Sequence, residues 1–543
     1  MAYFVALLSA WLLVSASTAL RPGRRGVFAV LAFPVGWAAG ELPVQAIVVQ
    51  GGLLGLLWWW GWPRTHWLGI IVVGLAIVVA AQNVALIAMS LRSRLVVSRA
   101  LATSPRRPLA LDSLGDDRFG AWWRTALQIP LHPRRMELIR DLSYGPDARQ
   151  RLDVWRTLPT PVHAPVILYV HGGGWTMGDK REQGRPMLHE FVARGWVVAT
   201  TNYRLAPKDP WPAQIEDVVR CLAWVKRSIA DYGGDPERIV ISGGSAGGHL
   251  AALAALAADD LAWRPSGAED VTDWSVRGCV PFYGVLETLG DESHWHGLGR
   301  GLRTLLESRV VRLPYAGHED LYRSLSPYHR IDEDAPPFLV VQGTTDTLVD
   351  VNVARDFVAR FRDVALAPAY YVELPFAQHA FDLTASPRTS ATTRAAVAFA
   401  TSVTAPRPEM TSAHVASYQA PPTELYVENR AGALAPALGL VAELGPYRVV
   451  TSDNPGSRRQ DEATNSCRRD ELKALLASRG VECRRSVARD PTGRWPDEEG
   501  IALIGRPVEF ARALARAFDQ FAFYEVTAGG VNVLDAERGD VLL

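Results

Sequence analysis

A buried strand, a sharp turn and a helix follow one another in the stretch that decides the fold, Arg238-Ile239-Val240-Ile241-Ser242-Gly243-Gly244-Ser245-Ala246-Gly247-Gly248-His249-Leu250. Residues 238–242 are an apolar run typical of a buried strand, and residues 249–258 are rich in Ala and Leu and predict a helix. The glycines between them allow a tight turn that exposes the hydroxyl of Ser245 above the sheet edge. The stretch therefore predicts a strand–turn–helix with a serine at its apex.

Further apolar runs, separated by turns and helical segments, lie on both sides of this stretch. Strands that alternate with helices form a mostly parallel sheet with helices on both faces, so the middle of the chain is predicted to be an α/β domain. The predicted strands are 166–170, 197–201, 276–282, 338–342 and 369–374, and the predicted helices are 186–194, 215–229 and 384–403.

An acid and a histidine follow Ser245 in the order that a serine nucleophile needs. Asp346 comes just after the strand at 338–342, and His379 lies in the loop after the next strand. We expect His379 to accept the proton of Ser245 and Asp346 to orient its imidazole. Asp350 competes for the role of the acid, but it lies further along, at a predicted helix start.

Backbone amides next to Ser245 predict a site for a negatively charged oxygen. His171-Gly172-Gly173-Gly174 ends the strand at 166–170, and glycines there let the main chain approach a substrate carbonyl. Together with Ala246, at the positive end of the following helix, the amides of Gly172 and Gly173 predict an oxyanion hole.

Residues 139–403 resemble the hormone-sensitive-lipase-like, or BD-FAE-like, branch of the α/β-hydrolase superfamily. The resemblance implies a carboxylic-ester hydrolase that works through an acyl-serine intermediate without a cofactor. Gly244 replaces the acidic residue of many members and His249 replaces a common Asn, which leaves the substrate open. The matching motifs, beside those of Asp346 and His379, are His171–Trp175, Tyr203–Pro207, Pro212-Ala213, Gly234–Arg238, Gly244–Leu250 and Ser326–Tyr328.

The resemblance also places cap or lid elements in residues 93–136 and 284–325. Trp175 is predicted to bind substrate as part of an acyl pocket, and core packing is an equal alternative for its side chain. The same two alternatives hold for Trp122, Trp123 and Trp295.

The first 91 residues are poor in charge. Ala2–Leu20 and Trp67–Leu91 carry no charged residue, and each is long enough to cross a bilayer. Val27–Trp62 is broken by prolines, and forms either two short spans or one span plus a re-entrant or interfacial piece. We therefore predict three or four membrane spans within residues 1–92. The charged residues of this region are Arg21, Arg24, Arg25, Glu41 and Arg64.

The arginines that flank these segments predict the orientation. With three spans and the N-terminus outside, eight arginines (three in 21–25 and five in 92–107) lie inside, and Arg64 alone lies outside. The positive-inside rule then places the catalytic domain on the cytoplasmic face of the cell membrane.

The C-terminal part is predicted to be a separate small α+β domain. Residues 404–424 form a Pro-rich linker after a hydrolase domain at 137–403, and residues 425–543 alternate short strands and helices. This last region resembles a small bacterial domain family of unknown function, which implies no chemistry. The residues that carry this resemblance are Thr451–Ser457, Asn465, Pro491–Trp495 and Phe518–Gln520.

Composition excludes several classes of protein. The 57 basic and 57 acidic residues cancel, which is untypical of a nucleic-acid-binding protein. The four cysteines have neither disulfide-framework nor zinc spacing, so no metal site is expected, and Cys221 and Cys279 are predicted to be buried.

The sequence therefore predicts a membrane-anchored serine esterase or lipase. Its partners would be a small-molecule ester, with lipid esters among the candidates, and the bilayer through residues 1–92; the oligomeric state stays open. An amidase, an arylformamidase or an acyltransferase can use the same triad. A catalytically silent membrane scaffold is the alternative from another class.

Overall fold

A computed structural model describes most of the chain. It covers residues 10–11, 13–14, 17–20, 27–59, 67–102, 109, 135–257, 263, 274–405, 424–454, 460–491, 496–536 and 541–542. The chain forms two compact units, one comprising residues 1–331, 336–361 and 369–404, and the other 332–335, 362–368 and 405–543. Most of the predicted linker at 404–424 and most of the predicted cap at 93–136 lie outside the described residues.

The first unit contains an eight-stranded sheet in the order β1-β2-β4-β3-β5-β6-β7-β8. Strands β3 to β8 are parallel to one another, and β1 and β2 add an antiparallel edge next to β4. The mostly parallel α/β sheet expected from the sequence is therefore confirmed. The strands are β1 Met136–Ser143, β2 Arg151–Thr157, β3 Ala164–Val170, β4 Val197–Thr201, β5 Gly234–Gly244, β6 Gly278–Phe282, β7 Phe338–Gly343 and β8 Ala369–Leu374.

Helices accompany these strands, and those at 185–193, 213–228, 246–256 and 387–404 contact the sheet. Their bounds are α4 Arg185–Ala193, α5 Ala213–Ser228, α6 Ala246–Leu256, α7 Glu292–Trp295, α8 Gly299–Leu305, α9 Glu319–Ser324, α10 Val351–Val364 and α11 Pro387–Thr404. Helix α6 is apolar on all sides and wholly buried, which fixes the turn that precedes it. Cys221 and Cys279 are buried, as predicted.

Three apolar helices precede the sheet: α1 Val27–Glu41, α2 Pro43–Trp59 and α3 Trp67–Ala102. Among the described residues, Ile70–Ala102 is long and apolar enough to cross a membrane. Leu31–Glu41 and Pro43–Leu56, which meet at a bend of 81°, are long and apolar enough when taken together. Most of the predicted span at 2–20 lies outside the described residues.

Helix α3 changes its surroundings along its length. Near its start Ile70 is 75% exposed, whereas Val97 and Leu101 near its end are fully buried in the hydrophobic core of the sheet unit. The helix contacts α11 and β8. It therefore does not end near residue 92, where the sequence predicts the end of the membrane segment, because its apolar side chains continue onto the sheet unit.

The second unit has a seven-stranded antiparallel sheet in the order β10-β9-β12-β13-β11-β14-β15, with two long helices. Its apolar core includes Val450, Leu476 and Leu514. The elements are β9 Glu424–Glu428, β10 Leu434–Pro436, α12 Val441–Leu444, β11 Tyr447–Thr451, α13 Glu462–Ser478, β12 Cys483–Arg489, β13 Glu498–Ile504, α14 Val508–Ala517, β14 Ala522–Thr527 and β15 Gly530–Asp535.

Candidate active site

Ser245 lies at the turn between β5 and α6, as the glycine pattern predicts. Its backbone has φ 56° and ψ −122°, a strained conformation for a residue with a side chain. The turn is held from both sides, because the Ser245 amide donates to the carbonyl of Phe282 at 2.9 Å and the His249 amide donates to the carbonyl of Ser245 at 3.0 Å. The side chain of Ser245 is partly exposed.

Gly247 allows this turn to approach β3. A Cβ atom at Gly247 would lie 2.1 Å from the carbonyl oxygen of Val170, a backbone atom that cannot move aside. We expect Gly247→Ala to lower the free energy of unfolding by about 2 kcal/mol or more, as overpacking does in a tight core. Thermal unfolding of the purified chain measures the change.

Gly301→Ala is the matched control. Gly301 lies in helix α8 and is exposed, and a Cβ atom added there would meet no other atom within 4 Å. Alanine is the better helix former, so this variant should be as stable as the wild type or slightly more stable. An equal loss of stability in both variants would show that close packing at Gly247 is not the cause.

His379 and Asp346 are in direct contact. His379 Nδ1 lies 2.8 Å from Asp346 Oδ2, and both side chains are buried. The same Oδ2 accepts from Gln342 Nε2 at 3.0 Å, and Oδ1 accepts from the amides of Leu348 and Val349 at 2.8 and 2.9 Å. These bonds fix the carboxylate so that it can accept the Nδ1 proton, which leaves Nε2 of the imidazole to act as a base.

Asp350, the competing acid, has other partners. Its Oδ1 accepts from the amide and the side chain of Asn352 at 2.9 and 2.7 Å, and lies 4.0 Å from His296. Its contacts are at the start of α10. The geometry therefore pairs His379 with Asp346.

Tyr283 connects the serine turn to the histidine, and sequence analysis missed it. Its ring lies 4.7 Å from the imidazole of His379. A Cβ atom at Gly244 would lie 2.7 Å from Tyr283 Oη, so the ring occupies the space that an acidic side chain at 244 would need. None of the hydrogen bonds among the described residues joins Ser245 Oγ to His379; such bonds often tighten only when substrate binds.

Asp382 is a second buried carboxyl group behind the histidine. It accepts a hydrogen bond from the hydroxyl of Tyr283, and burial raises the pKa of Asp382 to about 6. Its position three residues after His379 was the available sequence signal, but a lone Asp at that spacing is too common to indicate a role.

The predicted oxyanion donors are not equivalent. The Gly172 amide donates to the side-chain oxygen of Gln183 at 2.8 Å, so this donor is already engaged. Gly173, with φ 119°, and Ala246, at the first turn of α6, have amides for which no bond is found among the described residues. The Gly172 amide can bind an oxyanion only after the side chain of Gln183 has moved away.

His171, beside these donors, is a buried neutral group. Its ring stacks on Tyr203 at 4.4 Å, and its Nδ1 donates to the carbonyl of Gly172 at 2.7 Å. Burial lowers the pKa of His171 to about 4, so it carries no charge at neutral pH. Its contacts support the glycine loop.

Trp175 packs inside the domain. Its side chain is 1% exposed, and its indole N–H donates to Nδ1 of His249 at 3.2 Å. His249 in turn donates from Nε2 to the carbonyl of Leu325 at 2.7 Å, and burial lowers its pKa to about 4. Trp295 is likewise buried and donates to Glu287. These contacts favour core packing for both indoles; Trp122 and Trp123 lie outside the described residues.

Within the described residues, no group of three or more His, Cys, Asp or Glu side chains is arranged to hold a metal ion.

Comparisons with known proteins agree on the hydrolase region. A family model described as BD-FAE matches residues 152–361, and one described as a protein of unknown function (DUF3293) matches residues 450–523. Three relatives from Mycobacterium tuberculosis are similar to this chain. "Probable carboxylic ester hydrolase LipM" is 42% identical over 301 residues, "Esterase LipQ" 43% over 260, and "Esterase LipC" 38% over 274.

These matches cover 52%, 47% and 50% of this chain, respectively. They cover 69% of LipM, 60% of LipQ and 66% of LipC. The chain therefore spans about two thirds of the length of these relatives.

Proposed function

This chain belongs to the α/β-hydrolase family of carboxylic-ester hydrolases, and on that premise we propose that Ser245, His379 and Asp346 are its catalytic triad. The observation that carries the proposal is the 2.8 Å contact between His379 Nδ1 and Asp346 Oδ2, next to a strained serine turn. A strained backbone such as that of Ser245 lowers the stability of the fold, and strain of this kind occurs mainly at functional sites. The triad therefore cleaves an ester through an acyl-serine intermediate.

Each group of the site has a separate role in the reaction. Ser245 Oγ attacks the ester carbonyl carbon while His379 Nε2 takes the hydroxyl proton, and Asp346 stabilises the imidazolium. The amides of Gly173 and Ala246 bind the oxyanion, with Gly172 as a third donor once Gln183 releases it. His379 then gives its proton to the leaving alcohol. Water, deprotonated by His379, attacks the acyl-serine, and His379 returns that proton to Ser245 Oγ as the bond to the serine breaks and the acid leaves.

We also propose that residues 1–92 anchor the enzyme in the membrane. Helix α2 starts two residues after Glu41, which binds Arg388 of the sheet unit. Helix α3 contacts α2 and ends in the core of that unit, so the two helices run in opposite directions. At 1.5 Å per residue α2 is about 26 Å long, close to the thickness of a bilayer core. Trp58 and Trp59, at the C-terminal end of α2, are 56% and 85% exposed. Tryptophans at this position are typical of the aromatic belt at a membrane interface.

In this arrangement α1 is the interfacial piece, and the spans are 2–20, α2 and α3. The three arginines at 21–25 and the five at 92–107 then share the side of the catalytic domain, which the positive-inside rule makes cytoplasmic. A reporter fused after residue 110 should be active only in the cytoplasm. Activity on the outer side would overturn this orientation.

The full chain in detergent micelles tests the chemistry. We expect labelling by a fluorophosphonate probe and hydrolysis of p-nitrophenyl esters, with the chain-length profile defining the acyl pocket. An aryl formamide, assayed beside the esters, distinguishes a formamidase. A chain that ignores both the probe and short acyl esters would leave the scaffold as the better explanation.

A further inference from the structure

Helix α1 lies directly on the loop that carries His379. The indole N–H of Trp37 donates to the carbonyl of Ala380 at 2.9 Å, one residue after the histidine. The ring of Phe33 meets the imidazole of His379 edge-on, with ring centroids 5.8 Å apart. A Cβ at Gly36 would lie 3.2 Å from Nε2 of Gln378, so the helix backbone approaches the loop closely.

A buried ion pair holds the end of this helix. Arg388 Nη1 donates to Glu41 Oε1 and to the carbonyl of Gly40, each at 2.8 Å, and the side chains of Glu41 and Arg388 are both fully buried. Glu41 is the only acidic residue among the first 91. Desolvating two charges is costly, so a pair in this position indicates a specific geometry rather than added stability.

The ion pair at Arg388 and the hydrogen bond from Trp37 attach helix α1 to two parts of the chain around His379. Arg388 lies in the first turn of α11, just after the loop that joins it to β8, and Trp37 binds the middle of that loop. His379 therefore lies between a helix of the N-terminal apolar segment and the sheet. Its other face contacts Tyr283, so displacement of α1 would free the imidazole on one side.

We propose that helix α1 positions the catalytic base: Glu41 and Arg388 are positioning residues that hold α1 on the His379 loop, and the N-terminal apolar segment keeps the base in place as well as anchoring the enzyme. This inference rests on the proposed function of His379. It links membrane insertion of α2, which continues from α1, to the geometry of the active site.

The double variant Glu41→Met/Arg388→Met separates positioning from stability. Apolar side chains of similar length often replace a buried ion pair without loss of stability, so the full chain should unfold at a similar temperature. We expect kcat for a short p-nitrophenyl ester to fall about 10- to 100-fold, with KM unchanged within about twofold, because small misplacement of a catalytic group has effects of this size.

Trp37→Phe provides a second test that keeps the ring in place. It removes the N–H that binds Ala380, and we expect a fall in kcat of about threefold or more at unchanged KM. Leu31→Ala is the control on the same helix, because Leu31 is 60% exposed and its loss should leave both constants unchanged.

Three outcomes contradict the inference. A folded double variant with wild-type kcat would make the ion pair purely structural. A fully active Trp37→Phe would show that the bond from Trp37 to Ala380 does not position the base. A rise in KM alone would place α1 in substrate binding instead of positioning. If the wild type itself neither reacts with a fluorophosphonate nor cleaves esters, the proposed function fails as well, whereas an active wild type confines the failure to this inference.

Discussion

Ser245→Ala is expected to lower kcat for ester hydrolysis by about 10⁶-fold and to abolish fluorophosphonate labelling. The variant removes the only atom that can form the acyl intermediate, while the turn and the oxyanion amides stay in place. Steady-state hydrolysis of p-nitrophenyl butyrate and in-gel labelling of the purified full chain measure the two effects.

Ser242→Ala is the matched control for this serine. Ser242 lies in β5, three residues before Ser245, is buried, and donates its hydroxyl to the carbonyl of Val280 at 2.8 Å. Loss of that bond should cost about 1 kcal/mol of stability and leave labelling intact. If Ser245→Ala were still labelled, or still turned over at more than a small fraction of the wild-type rate, another residue would be the nucleophile.

The second large effect is expected at Asp346. Asp346→Asn keeps the size of the side chain but presents an amide to His379 Nδ1, so the imidazole is no longer held in the tautomer that leaves Nε2 free to accept a proton. We expect kcat to fall about 10⁴-fold, with little change in KM. Circular dichroism and thermal unfolding check that the variant is folded.

Asp350→Asn resolves the ambiguity in the sequence. Asp350 is also buried after β7, but its carboxylate binds Asn352. Activity within a few-fold of the wild type is the expected result. A loss at Asp350 as large as the loss at Asp346 would contradict the assignment of the acid, whatever the effect of the first substitution.

The sheet was largely predictable because its central strands are continuous apolar runs. The strand predicted at 369–374 matches β8, and the run at 197–201 matches β4. The antiparallel edge formed by β1 and β2 was not predicted. Charged residues such as Asp141 and Asp153 interrupt its apolar pattern, and they form ion pairs with Lys180 and Arg181, 27 to 40 residues away in the chain.

The site was predictable where a motif defines its own backbone. Glycines around Ser245 specify the turn through local sterics, and the order of serine, acid and histidine follows from the order of the strands. Gln183 and Tyr283 were not predictable, because each reaches its place through packing between distant segments. Gln183 engages the Gly172 amide that the sequence assigned to the oxyanion, and Tyr283 fills the space beside Gly244.

The sequence alone determined that an apolar, charge-poor segment precedes a serine hydrolase domain, since hydropathy and glycine patterns depend on neighbours along the chain. Only the tertiary structure decided where the one carboxylate of that segment goes. Glu41 meets Arg388, 347 positions later, and brings α1 onto the loop of His379. Such a contact cannot be predicted from the residues near Glu41 in the sequence, because the partner that compensates a buried charge lies far away in the chain.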